Sequence, residues 1–118
     1  LEPLSGYLLL GARMKKDPIK YADSFNFGPL QEDRLTVQEL IEVAIEKWGS
    51  GNYQIEQSSD NPHEAGLLQL NIQKAKEILD WEPKMKSVEA IEKTIAWYKN
   101  YRKDPLGLSQ YQIKEYFS

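Results

Sequence analysis

His63 and Glu64 are the one place in these 118 residues where an imidazole and a carboxylate stand side by side in a stretch that reads as loop, and His63 is the only histidine. Two uses are open to such a pair: a solvated or capping role, or a hydrogen-bonding contact to a bound ligand. Serine hydrolysis is not among them, because no serine here has the surroundings of a nucleophile elbow. The chain has no cysteine, which excludes a thiolate nucleophile, a thiolate metal site and a disulfide framework, and one histidine cannot build a His-rich zinc site. No tyrosine is followed four residues later by lysine, the spacing of a dehydrogenase acid/base pair; the nearest approach is Tyr98 with Arg102, on a helix face where an arginine stem packs. Gly49-Ser50-Gly51 follows a helix and precedes a strand, the reverse of the order that aims a helix N-terminus at a phosphate, so it reads as a helix stop. Glu42 with Glu46, and Glu89 with Glu92 beside Lys93, fall on outer helix faces as solvated charge. Trp48, Trp81 and Trp97 lie within or just after amphipathic helices, where packing explains them better than base stacking.

Charge and hydropathy narrow the partners. Fifteen basic residues against eighteen acidic ones give a net charge of −3, with the three arginines scattered, so no nucleic-acid footprint is expected. The run Leu8-Leu9-Leu10 is broken by Gly11 and Arg13, so no segment spans a bilayer and no membrane partner is expected. The absence of cysteine fits a reducing compartment, and a cytoplasmic location is the expectation. Opening on Leu1-Glu2-Pro3-Leu4, without an initiator Met or a leader pattern, the chain reads as cut from something longer.

These residues are positioned by a short series of elements. Residues 4–16 carry apolar side chains at helical spacing, closed by Lys15 and Lys16 and ended by Asp17-Pro18. Ser24-Phe25-Asn26-Phe27 puts two aromatics on one side of an expected strand, and Gly28-Pro29 turns it. Thr36-Val37-Gln38-Glu39 is a capping box opening a helix through Trp48. The alternation over 53–57 predicts a second strand, 58–62 a polar turn, and Leu67, Leu68 and Leu70 a short third apolar strand. Asn71 caps a helix with Ile72, Ala75, Ile78 and Leu79 inside, which Trp81-Glu82-Pro83 ends. Ser87 caps a long helix bearing Val88, Ile91, Ile95 and Tyr98, and a capping box from Ser109 to Gln112 starts the last one. The order predicts one small α+β domain over residues 1–118.

Several words of the sequence carry more than periodicity. Leu1-Glu2-Pro3-Leu4-Ser5-Gly6-Tyr7-Leu8, Phe25-Asn26-Phe27-Gly28-Pro29, Thr36-Val37, Trp48-Gly49-x-Gly51, His63-Glu64-Ala65 with Leu68-x-Leu70, Lys74-Ala75, Leu79-x-Trp81-x-Pro83 and Thr94-x-x-Trp97-Tyr98 occur in one order. In that order they resemble the substrate-binding part of the CDP-glucose 4,6-dehydratases, in the nucleotide-sugar branch of the extended short-chain dehydrogenases. The chain departs from that pattern at Asn71, where relatives read Asp, and at Asp80, where they read Gly.

The resemblance implies a C-terminal, small α+β substrate-binding domain whose Rossmann half, with NAD and the reacting groups, lies outside these residues. It implies that the intact enzyme oxidises a CDP-sugar at C4, removes water across C5 and C6 and reduces C6, as in bacterial lipopolysaccharide O-antigen synthesis. No cofactor and no catalytic residue are expected in this chain. His63, Glu64 and Asn26 are the expected substrate-binding residues, and a homodimer or larger homo-oligomer is the expected assembly. Two other classes compete: a non-catalytic interaction module, for which Tyr111, Tyr116 and Phe117 read as exposed aromatics, and the matching half of a nucleotide-sugar epimerase or reductase.

Overall fold

The computed structural model describes residues 1–55 and 70–118, and these form helices and irregular segments with no β-strand among them. Helix α1 spans Glu2–Lys16, α2 Pro18–Tyr21, α3 Val37–Trp48, α4 Ser87–Asn100 and α5 Pro105–Phe117, with a 3₁₀ turn at Gln31–Asp33 and a π-helical turn at Ala75–Leu79. The α+β expectation is therefore overturned. Residues 24–27 are irregular, with Phe27 buried and Phe25 half-buried, and among the described residues no neighbouring strand is present to ladder with them. Residues 53–55 are likewise exposed coil, and the rest of that expected strand and most of the third lie outside the described residues.

The core is built where α1 and α2 meet the segments 25–30 and 72–81. Tyr21, Phe27, Ile72, Ala75, Leu79 and Trp81 are its buried members, with Leu9, Leu10, Phe25 and Leu30 packed on them. Phe27 sits edge-on to Trp81 (centroids 4.9 Å apart, 78°) and to Tyr7 (5.3 Å, 84°), the arrangement that ring quadrupoles favour. Gly6 is the residue of α1 that faces this ring, leaving no room there for a side chain.

Capping explains where the helices begin and end. Thr36 and Glu39 form the full reciprocal box at α3, and Gly49 closes it in the left-handed conformation at φ 89°. Asp17 both ends α1 and caps α2 by accepting from the Lys20 N–H at 3.0 Å. Two expected caps are corrected. Ser87 lies inside α4; its N–H and hydroxyl donate to the Asp33 side chain (2.6 Å) and carbonyl (2.7 Å), so a residue 54 positions away closes that helix start. The Ser109 box does not form, because Asp104-Pro105 starts α5 earlier: Asp104 accepts from the Gly107 N–H at 2.9 Å, and the Ser109 hydroxyl donates back to the Pro105 carbonyl at 2.8 Å.

The helix after Asn71 turns in the π register, which carries Ala75 and Leu79 into the core and leaves Ile78 partly exposed. It is stopped by Asp80 at φ 57°, ψ 43°, with the Trp81 N–H donating to the Ala75 carbonyl, six residues back. A left-handed non-glycine residue costs about 1 kcal/mol, so Asp80→Gly is expected to stabilise the chain by about that much, raising Tm by about 4 °C. A thermal scan showing no rise would mean that this turn relaxes without strain.

The exposed area of the chain is large for its mass. The chain exposes 9434 Å², whereas a compact monomer of 13.7 kDa exposes about 6,600 Å². Neither α3 nor α4 has a fully buried residue, so the molecule is thin, with extents of 49 × 41 × 22 Å.

Candidate functional site

Asn26 is the expected binding residue that the structure describes; His63 and Glu64 lie outside the described residues. Asn26 stands between the anchored rings of Phe25 and Phe27, and its Nδ2 donates to the Asn71 carbonyl at 3.3 Å. Asn71 is itself fixed, its Oδ1 accepting from the Gln73 N–H at 2.8 Å in a turn just ahead of the helix; the expected cap at Asn71 is corrected, because the first helical carbonyl is that of Ile72, which accepts from the Lys76 N–H. Lys74, one residue further, pairs with Asp23 and lies 5.2 Å from the Phe25 ring centroid. The hydrogen bond from Lys74, and a second from the Ser24 N–H, hold the Asp23 carboxyl below the usual carboxylate range. This corner therefore offers an exposed amide beside an aromatic edge, with its local cation already matched. It can hold a polar ligand by hydrogen bonds, and its one acid and base, Asp23 and Lys74, are tied to each other as an ion pair.

A second polar cluster has no signal in the sequence, because its bonds join residues 32 to 114 positions apart. The Glu2 carboxylate accepts from the Lys84 and Met85 N–H groups (3.1 and 2.8 Å) and from the Tyr116 hydroxyl at 2.7 Å. The Ser5 hydroxyl oxygen accepts from Trp81 Nε1 at 2.9 Å and lies 2.9 Å from the Tyr116 hydroxyl. Lys84 Nζ donates to the Tyr116 carbonyl at 3.0 Å. Tyr116, expected among the exposed aromatics, is thus buried at 8 % exposure, whereas Tyr111 and Phe117 are exposed as expected.

Burial first, and then the Glu2 carboxylate, push the Tyr116 phenol up to about 12, with the Ser5 bond opposing. An acid that holds its proton longer when folded adds stability that is fully present below its unfolded value of about 10 and is lost above it. Unfolding free energy is expected to fall between pH 10 and 12, and Tyr116→Phe to flatten that part of the curve. An identical high-pH slope in the variant would remove Tyr116 as its cause.

The remaining sequence candidates are structural. Gly49 and Gly51 close α3 at its carbonyl end, where Lys99 Nζ donates to the Trp48 carbonyl at 2.9 Å. That end repels an anion, so these glycines do not fit the pyrophosphate of NAD. Glu42 accepts from the Tyr53 hydroxyl at 2.6 Å, Glu46 and Glu92 flank Lys47, and Glu89 neighbours Lys93. Arg102 bonds to Tyr101, not Tyr98, with Nε 3.3 Å from its hydroxyl. Trp81 is core and Trp97 stacks on Tyr101, while Trp48 at the end of α3 is exposed. Among the described residues no three His, Cys, Asp or Glu side chains gather as metal ligands, and no helix is long and apolar enough to cross a membrane.

No family model matches the chain. The words that resemble nucleotide-sugar dehydratases are, however, part of a likeness that runs from end to end. The chain is similar over its whole length, 32 % identical across 120 residues, to the CDP-glucose 4,6-dehydratase of Salmonella typhimurium, of which it spans 33 %.

Proposed function

We propose that this chain is the C-terminal, sugar-nucleotide-binding part of a CDP-glucose 4,6-dehydratase. The whole-length similarity to the Salmonella enzyme carries the reading. Among the described residues, the exposed amide of Asn26, anchored on the Asn71 carbonyl, supports a binding role. In this reading the hydride carrier and reacting groups belong to the rest of the enzyme, a cytoplasmic homo-oligomer. This part supplies one wall for the CDP-sugar through Asn26, His63 and Glu64. Asn26 is suited to it because its Nδ2 is held by Asn71, which leaves Oδ1 as a fixed acceptor for a hydroxyl or amino group of the ligand.

The test is made in a full-length dehydratase carrying this sequence. Asn26→Ala, His63→Ala and Glu64→Ala are each expected to raise KM for CDP-glucose about fivefold with kcat retained, the effect of losing about 1 kcal/mol of hydrogen bonding. An unchanged KM in all three variants would overturn the assignment of these loops to the substrate.

A further inference from the structure

Helix α1 is apolar on both sides. Residues 3–12, Pro-Leu-Ser-Gly-Tyr-Leu-Leu-Leu-Gly-Ala, contain no charge. Its inner side, Gly6, Leu9 and Leu10, meets the core. Its outer side exposes Leu4 at 57 %, Tyr7 at 60 % and Leu8 at 66 %, and continues to Gly11, where an added Cβ would meet nothing within 4 Å. A helix that is hydrophobic all round is a buried helix. On α3, by contrast, the exposed Val37 and Leu40 alternate with Gln38, Glu39 and Glu42.

We infer that the Leu4–Leu8–Gly11 face of α1 packs against the rest of a full-length polypeptide, so that α1 is the buried joint between this domain and the remainder. The inference rests on reading the chain as part of a longer dehydratase. The Salmonella relative has about three times the length matched here, so a cover within the same chain is available. A second copy is the poorer occupant. One 15-residue helix is about 22 Å long, and pairing it with its twin falls well short of the about 800 Å² per partner that stable dimers bury. The open position at Gly11 also lets a neighbouring backbone come close, as interior packing requires.

The test compares Leu4→Gln with Leu8→Gln, introduced together, in two settings. Glutamine keeps helix propensity, so the 118-residue chain alone is expected to keep its Tm within about 2 °C. It should also stay monomeric, and should lose at least half of its binding of a hydrophobic dye. In a chimera where this chain replaces the matched third of the Salmonella enzyme, the same pair is expected to lower Tm by at least about 5 °C. An unchanged Tm in the chimera overturns the inference. So does a dimer of the 118-residue chain that the double variant dissociates, which gives the face to a second copy. If the chimera does not fold, glutamine at the two aligned positions of the intact Salmonella enzyme is held to the same 5 °C criterion. None of these readouts uses a substrate, so a chimera that shows the drop yet fails to bind CDP-glucose sinks the functional reading alone.

Discussion

Gly6→Ala is expected to unfold much of the chain's stability, by about 2 to 3 kcal/mol, although alanine is the better helix former. A Cβ built on Gly6 falls 2.3 Å from Cδ1 of Phe27 and 2.5 Å from its Cε1. That ring cannot swing aside, because Trp81 and Tyr7 hold its other edges and it is itself buried. Either α1 moves outward or Phe27 leaves its rotamer, and both strip contacts from the core. Gly11→Ala on the same helix is the internal control: with open space at its Cβ, the substitution should gain about 0.5 to 1 kcal/mol. Urea titrations of the two variants check the pair. Equal effects would show that helix propensity, and not the ring, governs Gly6.

Leu79→Ala should cost about 3 kcal/mol, at the middle of the range for a buried leucine. Leu79 is completely inaccessible, and it lies in the π-helical turn next to Ala75, which is equally buried. The hole left behind cannot be filled from that side, since alanine has nothing to extend. In a chain of this size the loss corresponds to a fall in Tm of about 12 °C. Thermal unfolding followed by Trp81 fluorescence reports it directly, because the indole shares the cluster. A fall of less than about 4 °C would mean that the turn collapses onto the cavity.

The helices were legible wherever a local chemical signal set them. The Thr36 box, the Gly49 stop and the Asp17-Pro18 break depend on residues within four positions of one another, and each stands where the sequence puts it. The strands were not, because alternation such as Phe25 and Phe27 describes an extended segment with one side buried and is silent about a ladder partner. Ser87 and Ser109 misled for a related reason. A serine ahead of an apolar run is a competent cap, yet Asp33 from a distant turn and Asp104 five residues upstream of Ser109 take those roles. At the site, Asn26 is singled out by the resemblance to nucleotide-sugar dehydratases, but its bond to the Asn71 carbonyl spans 45 positions and no pattern announces it.

The Glu2–Tyr116 contact has a kinetic meaning. Its two partners are separated by 114 positions, and Ser5 reaches Trp81 across 76. Closing a loop of that length costs about 4 kcal/mol of chain entropy before any bond repays it. Helices α4 and α5, which are neighbours in sequence and pack on each other, can form ahead of such a closure. The inner face of α1 is then satisfied last on the way to the native state. Substitutions at Glu2 or Tyr116 accordingly change the rate of unfolding and leave the rate of folding almost untouched.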